Sequence, residues 1–414
     1  MFAKHSIKRL SWTDAHLTDI ALPAGVMRLT RSLASGLCQS PTDPPDIFWG
    51  VGDRGPNIKP GAAADRYGTE HLRPLAAIDG AKIMPLPSTG PALARFRIDG
   101  NSIVLEEVTA FTDANGQPIS GLPVPYSPHA EFEPVYDLAG NALPTDPNGV
   151  DSEGIAAMPD GSFWIADEYG PSLLCVDRKG RVLVRWVPHD LAASFEGAAY
   201  PVVDALPAIA AARKLNRGFE AVTASANGAS LFVAFQSPLA HPDREAHERS
   251  RHVRIWKLNA KTGALLAEYV YPLDNPDDFR RDASVGKVSR SDIKVSEIQL
   301  IPNGDLLVLE RITLSTKIYR CALGSAHAIP IAMSQPATRP TLEQMSRKDM
   351  MAAGIAILEK TLAFSSDDHS EVPADLEGMI FLPSGQLILS NDSDFGIEGA
   401  ETQFWRIELS EVGA

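Results

Sequence analysis

Four stretches of this chain superpose on one another, and that repetition limits the possible folds more than any other feature. "SEGIAAMPDGSFWIADEYG" begins at Ser152, "FEAVTASANGASLFVAFQS" at Phe219, "SEIQLIPNGDLLVLERIT" at Ser296 and "LEGMIFLPSGQLILSNDSD" at Leu376. Each opens on an acid, runs through a short apolar stretch, turns at Asp-Gly, Asn-Gly or Ser-Gly, and returns as an apolar strand ending in polar residues. Such turns between apolar runs signal β-hairpins. A degenerate fifth copy, "SGLCQSPTDPPDIFWGVGDRG" from Ser35, has a longer turn and lacks the opening Glu.

A third strand is expected after each hairpin: "ALARFRID", "SLLCVDRKG", "HVRIWKLNAKTG", "TKIYRCAL" and "TQFWRIEL". A fourth is expected in several: "SIVLEEVTAF", "RVLVRWV", "ALLAEYVYPL" and "AILEKTLAF". Four-stranded antiparallel units repeated about a centre make a β-propeller. The expected fold is therefore all-β, with five visible units and either five or six blades. The last unit runs out of chain at "FWRIEL", so the N-terminal "HSIKRLSW" is expected to supply its outer strand and close the ring.

The repeats are spaced roughly 70–80 residues apart, against about 40–45 for a minimal blade, and the excess falls in insertions. These are expected at about 112–150, 188–216 and 335–355 of a single domain spanning 1–414. Within them, "PVVDALPAIAAARKLN" reads as helical and "TLEQMSRKDMMAAGIA" as a short helix before a strand. Met345, Met350 and Met351 read as packing residues.

The 414 residues are 44% hydrophobic and 22% charged, the balance of a globular chain. No apolar run approaches the roughly 18 residues of a membrane span. The start, "MFAKHSIKRLSW", has no apolar h-region, as expected of a cytoplasmic protein or of a chain already processed. A net charge of −14 argues against a nucleic-acid partner and against a phosphorylated one, unless bound cations invert the local field. Cys38, Cys175 and Cys321 show no zinc or CxxC spacing and read as buried thiols. His241, His247 and His252 fall in a charged inter-strand loop. No P-loop, GxGxxG, GxSxG or HExxH motif is present.

In a hairpin the start of one strand lies beside the end of the next. The opening acid and the terminal polar pair of every repeat thus share one face, and with the first strand innermost they ring the axis. The inner ring is Glu153, Glu220, Glu297 and Glu377, with Ser35 in the fifth place. The second ring is Asp53-Arg54, Asp167-Glu168, Gln236, Glu310-Arg311 and Asn391-Asp392. A single Glu at a strand start can cap a turn or pair with an Arg; nine acids on one face call for compensation. A hard cation fits, and all-oxygen donors favour Ca²⁺ over zinc or copper. The expected metal ligands are Asp53, Glu153, Asp167, Glu220, Glu297, Glu377 and Asp392. Arg54 and Arg311 offer planar forks for phosphate oxygens, with Arg217 nearby. Either Glu168 or Glu310 is placed to orient or deprotonate a water.

At "DRGPN" (Asp53–Asn57), "DSEGIA" (Asp151–Ala156), "DEYGPSL" (Asp167–Leu173), "NRGFEAVT" (Asn216–Thr223) and the last two repeats, the sequence resembles the phytase-like β-propellers, the "esterase-like activity of phytase" family. The resemblance covers about 28–408. It implies ester or phosphoester hydrolysis and, through more distant propeller phytases, calcium used to bind phosphate. It also implies export from the cytoplasm. The expected function is a calcium-dependent hydrolase of phosphoric esters acting on a small molecule. The alternatives are a single-metal propeller esterase or lactonase with an apolar pocket near Trp49, Trp164 or Phe195, and a non-catalytic scaffold plugged by a cation.

Overall fold

The computed structural model describes residues 6–125, 132–324 and 327–409. Part of "SGLPVPYSPHAEFEP", residues 126–131, lies outside them. The fold is all-β and mostly antiparallel, and none of its sheets closes on itself.

In chain order, β1 (Ser6–Leu10) is followed by a hairpin of β2 (His16–Leu22) and β3 (Gly25–Thr30). Next come β4 (Gly36–Cys38), β5 (Ile47–Val51), β6 (Lys82–Ile83), β7 (Ala92–Asp99), β8 (Ser102–Ala110) and β9 (Val135–Tyr136). Strands β4-β5-β7-β8 form one sheet, while β6 pairs with β9 in parallel. The second sheet is β10 (Ser152–Ala157), β11 (Phe163–Asp167), β12 (Ser172–Val176), β13 (Val182–Pro188) and β14 (Val202–Leu206). The third is β15 (Phe219–Ala224), β16 (Ser230–Phe235), β17 (His252–Asn259) and β18 (Leu265–Pro272). The fourth is β19 (Lys294–Leu300), β20 (Leu306–Arg311), β21 (Thr316–Cys321) and β22 (Lys360–Ser365). In the fifth, β23 (Leu376–Phe381), β24 (Gln386–Asn391) and β25 (Phe404–Glu408) are completed by β1 from the far end of the chain.

The β1–β25 pairing is antiparallel, from Ser6 opposite Glu408 to Leu10 opposite Phe404, so the N-terminal strand covers the edge the last repeat leaves open. Just beyond it, Trp12 stands edge-on to Phe96 and Phe404 at ring distances of 5.5 and 5.3 Å, tying the fifth sheet to the first.

The first strands of the five large sheets touch in cyclic order: β4 with β10, β10 with β15, β15 with β19, β19 with β23, and β23 with β4. Glycines permit this closeness. A Cβ on Gly36 would stand 2.3 Å from the Glu153 carbonyl oxygen, and one on Gly154 would stand 2.7 Å from that of Glu220. Apolar side chains between the sheets form the core, with Phe219, Phe235 and Trp256 clustered between the second and fourth sheets.

Three local expectations need correction. Residues 201–216 are not helical throughout: β14 adds to β13 in parallel before a short 3-10 turn at Ala208–Ala212. Pro201 and Pro207 bracket a β-branched pair, Val202 and Val203, which favours extended backbone. Met351 does not pack but is 70% exposed, because the helix Arg347–Ala352 buries only the face carrying Met350. His247 and His252 are buried rather than surface residues. The three cysteines are buried and unpaired.

Candidate metal and anion site

The inner acids reach the axis because the inner strands bulge. In β10, Ser152 pairs with Asp167 and Gly154 with Ala166, so Glu153 is the extra residue. Glu220 is the extra residue in β15 and Glu377 in β23. A bulge of this kind re-aims one side chain away from the alternating pattern. In β19, however, Val295 pairs with Glu310 and Glu297 with Leu309, so Ser296 occupies the bulge. The sequence carries the cause. Glu153, Glu220 and Glu377 stand eight residues before the turn glycine, whereas Glu297 stands seven before Gly304.

A cavity of about 350 Å³ opens at this face. Of the expected metal ligands, Asp53, Glu153, Glu220, Glu377 and Asp392 line it. Asp151, from the loop entering β10, and Asp394, just beyond β24, line it too. Both were present in quoted motifs but lay outside the two rings. One carboxylate oxygen each from Asp53, Asp151 and Glu153 can be chosen within 4.8 Å of one another. The same holds for Asp53, Asp392 and Asp394, so Asp53 belongs to both groups. Such clusters of buried acids can hold a metal ion, and among the described residues neither His nor Cys lines the cavity.

Electrostatics follow from the crowding. Burial, then the charges of Asp151 and Asp392, push the Asp53 carboxyl well above its usual range. Burial and the neighbouring Glu220 do the same to Glu153, which makes no hydrogen bond or ion pair among the described residues. Burial raises Glu377 to about 7 against the opposing charge of Arg311. Asp392 rises to about 8 through burial and the charges of Asp394 and Glu377. Its carboxylate accepts from Ser32 and, at 3.5 Å, from Ser35, the residue in the fifth place of the inner ring.

The other expected residues are placed less centrally. Asp167 is wholly buried, paired with Arg185 and accepting from Ser172 Oγ at 2.6 Å; it supports the wall. Glu297 turns away and accepts from the backbone N–H groups of Leu37 (3.3 Å) and Ile298 (2.9 Å). Glu310 accepts from Tyr271 Oη (2.6 Å), Lys360 Nζ (2.7 Å) and the Asp274 N–H (2.7 Å), outside the cavity. Both arginines of the second ring are engaged. Arg54 lines the cavity but binds Glu133 at 2.8 Å and approaches Asp151 at 3.5 Å. Arg311 pairs with Asp375 at 2.9 Å and with Glu377, and its Nε donates to Ser296 Oγ at 2.9 Å.

Two other cations are free. Arg217 and Lys294 line the cavity and make no ion pair among the described residues. The Arg217 Nη1 is buried without a hydrogen-bond partner, and burial lowers the pKa of the group. The charge of Arg311, then burial, lowers that of Lys294. Lys294 opens β19 opposite Arg311. A lone Lys at a strand start carries no motif, which is why sequence reading passed over it.

Glu168 also faces the cavity, 4% exposed. Gln236 Nε2 donates to its Oε1 at 2.6 Å and to Glu220 Oε2 at 2.7 Å, holding the two carboxyls in register. Burial, then the charges of Glu220 and Asp151, push the Glu168 carboxyl well above its ordinary range.

Comparisons with known proteins give the family. The family model described as phytase-like, "esterase-like activity of phytase", matches residues 34–395. An "uncharacterized secreted protein" of Arthroderma benhamiae is 28% identical over 291 residues, 64% of this chain. The aligned region spans only 54% of that relative's length. Among solved structures, virginiamycin B lyase of Staphylococcus aureus is 10% identical, with 98% of this chain and 99% of that one covered at a TM-score of 0.35. The aldose sugar dehydrogenase of Streptomyces coelicolor is 10% identical, with 99% of each chain covered at a TM-score of 0.34. The sheet arrangement itself, not these likenesses, defines the fold described above.

Proposed function

Since the chain belongs to the phytase-like family of esterase-like activity, we propose that it is a calcium-dependent hydrolase of phosphoric esters, built as a single-domain propeller of five blades. Five sheets whose first strands meet in a ring, and the completion of the fifth by β1, support the five-bladed reading. Among the described residues the 112–150 stretch contributes one strand of two residues, too little for a sixth blade.

One observation carries the functional reading: a cluster of buried carboxylates shares a cavity with Arg217 and Lys294, two cations that make no ion pair among the described residues. The donor set fits a hard divalent ion. Asp53, Asp151 and Glu153 would hold one, and Asp53, Asp392 and Asp394 a second. Calcium in such a site supplies Lewis acidity toward a phosphoryl group. The chain's own residues do the rest. Arg217 and Lys294 bind and orient the phosphate oxygens. Gln236 fixes Glu168 Oε1, and Glu168 takes a proton from the attacking water as its oxygen bonds to phosphorus and the ester oxygen leaves. Arg54 positions Asp151 and does not contact substrate.

A neutral ester or lactone suits the cavity less well, because Leu215 is the one apolar residue lining it among those described. The deciding experiment is a hydrolysis screen of a phosphomonoester, a phosphodiester, a carboxylic ester and a lactone, with Ca²⁺ and with chelator. Calcium-dependent turnover of a phosphoric ester, competed by inorganic phosphate, is expected. Turnover confined to the lactone or carboxylic ester would overturn the reading.

A further inference from the structure

A second groove lies away from the acidic cavity. It has a volume of about 1160 Å³. One wall is the start of β17 and the end of β18; the other is the segment from Thr341 to Thr361. That segment is fastened to the third sheet. Leu358 N donates to Val270 O at 2.9 Å, and Ile357 bridges Val270 in parallel. Beneath it, Arg254 holds Glu343 with two hydrogen bonds of 2.7 and 2.9 Å and Glu268 with one of 2.7 Å.

The charges lining this groove are unevenly satisfied. Glu343 is consumed by Arg254, Asp274 by Lys317 and Lys360, and Glu245 by Arg249. Asp243 and Asp278 cap short helical turns. The side chains of Arg251 and Arg347, in contrast, make no hydrogen bond or ion pair among the described residues, and that of Arg290 reaches only the backbone oxygen of Arg249. Of the lining acids, Glu359 alone has no such partner among the described residues. A cluster of uncommitted arginines is unexpected on a chain of net charge −14.

The wall also carries a histidine. His252, 8% exposed, forms part of the wall, and its Nδ1 is buried without a hydrogen-bond partner. Burial lowers its pKa to about 4, so the ring is neutral and able to donate one hydrogen bond. Buried polar atoms are normally satisfied. The floor, in turn, is apolar: Leu273, Met345 and Leu358 are each at least nine-tenths buried and line it.

We propose that this groove is a second ligand site, distinct from the acidic cavity, which takes a small amphipathic anion with a carboxylate or phosphate head. The head is held by Arg251, Arg290 and Arg347; the apolar body lies on Leu273, Met345 and Leu358. Guanidinium forks match both heads, and the floor selects for a body that inorganic anions lack.

The test is calorimetric titration of the full chain, kept metal-free with chelator, using octanoate, octyl phosphate, octanol and inorganic phosphate. One or both of the amphipathic anions should bind saturably, and the tighter identifies the head. Octanol and inorganic phosphate should each bind at least about tenfold more weakly. The double variant Arg251→Ala, Arg347→Ala removes exposed side chains and should fold normally, with an unshifted melting curve. It should weaken binding by about a hundredfold. Glu153→Gln, in the other cavity, should leave binding unchanged. Absence of saturable binding by either amphipathic anion would overturn the proposal. So would undiminished binding to the double arginine variant, or loss of binding in Glu153→Gln.

Discussion

Ser296 Oγ donates to Glu220 Oε1 at 3.2 Å, and Ser296 is itself the residue that bulges from β19 where Glu220 bulges from β15. The inner ring is therefore three glutamates and a serine, with Ser35 at the fifth place, rather than four glutamates. Glu297, adjacent in sequence, faces backbone donors instead of the cavity.

This distinction separates two isosteric changes. Glu297→Gln keeps one of the two acceptor oxygens and sets an amide N–H against the other backbone donor; it should leave hydrolysis and calcium affinity unaltered and lower stability by about 1–3 kcal/mol. Glu153→Gln should lower kcat/KM on the order of a hundredfold and weaken calcium binding, because it removes a charged oxygen from the cluster. Steady-state kinetics and calcium titration of the two variants provide the comparison. Equal losses in both would return Glu297 to the ring.

Arg217 and Lys294 are assigned to the phosphate. Arg217→Ala and Lys294→Ala should each reduce kcat/KM by about ten- to a hundredfold and weaken competition by inorganic phosphate to a similar degree. Arg311→Ala should instead be felt as lost stability, because it strands Glu377 and Asp375. Unchanged phosphate competition in both Arg217→Ala and Lys294→Ala would contradict the assignment.

The raised acids make a prediction about pH. Glu377 and Asp392, at about 7 and about 8, hold protons in the folded protein that they release in the unfolded chain at neutral pH. Their contribution is fully present below the unfolded carboxyl range and is lost as pH rises through 7 to 8. The metal-free protein should therefore melt at a higher temperature near about pH 6 than near about pH 8.5, by an amount on the order of a few kcal/mol. Saturating Ca²⁺ should shrink that difference, because a bound cation favours the ionised carboxylates. Melting curves at both pH values, with and without Ca²⁺, measure it.

β1 completes the fifth sheet from the other end of the chain. Deleting residues 1–11 exposes the edge of β25 and should lower the melting temperature markedly. A transition unchanged by the deletion would mean that the strand pairing adds nothing to stability.

The hairpins, the outer strands and the closing strand were legible in the sequence because period-two alternation and Gly turns are local signals. The site was legible only in part. Asp53, Glu153, Glu220, Glu377 and Asp392 follow from repeat position, and all five line the cavity. Glu297 was misplaced by one residue because a bulge shifts a strand without changing its apolar pattern; counting back from the turn glycine would have found it. Asp167 and Glu310 stand at strand ends like their neighbours, but Arg185 and Lys360, distant in sequence, draw them into the walls. Arg217 was named beside the two ring arginines and Lys294 was missed, because whether a cation is engaged depends on tertiary partners. Arg54 and Arg311 found theirs in Glu133 and Asp375, which no local pattern links to them.

The central claim is that the acids gathered at the axis hold calcium for hydrolysis, and Asp53 tests it most directly because it belongs to both oxygen clusters. The measurement is a calcium titration followed by melting temperature, with phosphomonoester turnover recorded at each point, for the unaltered chain and for Asp53→Asn. The unaltered chain should gain about 2.7 kcal/mol at a hundredfold excess of Ca²⁺ over its Kd, should respond less to Mg²⁺, and should turn over substrate in step with the stabilisation. Asp53→Asn should show neither response at the same concentrations. Melting curves of the unaltered chain that chelator and Ca²⁺ leave unmoved, or turnover that persists in chelator, would contradict the claim.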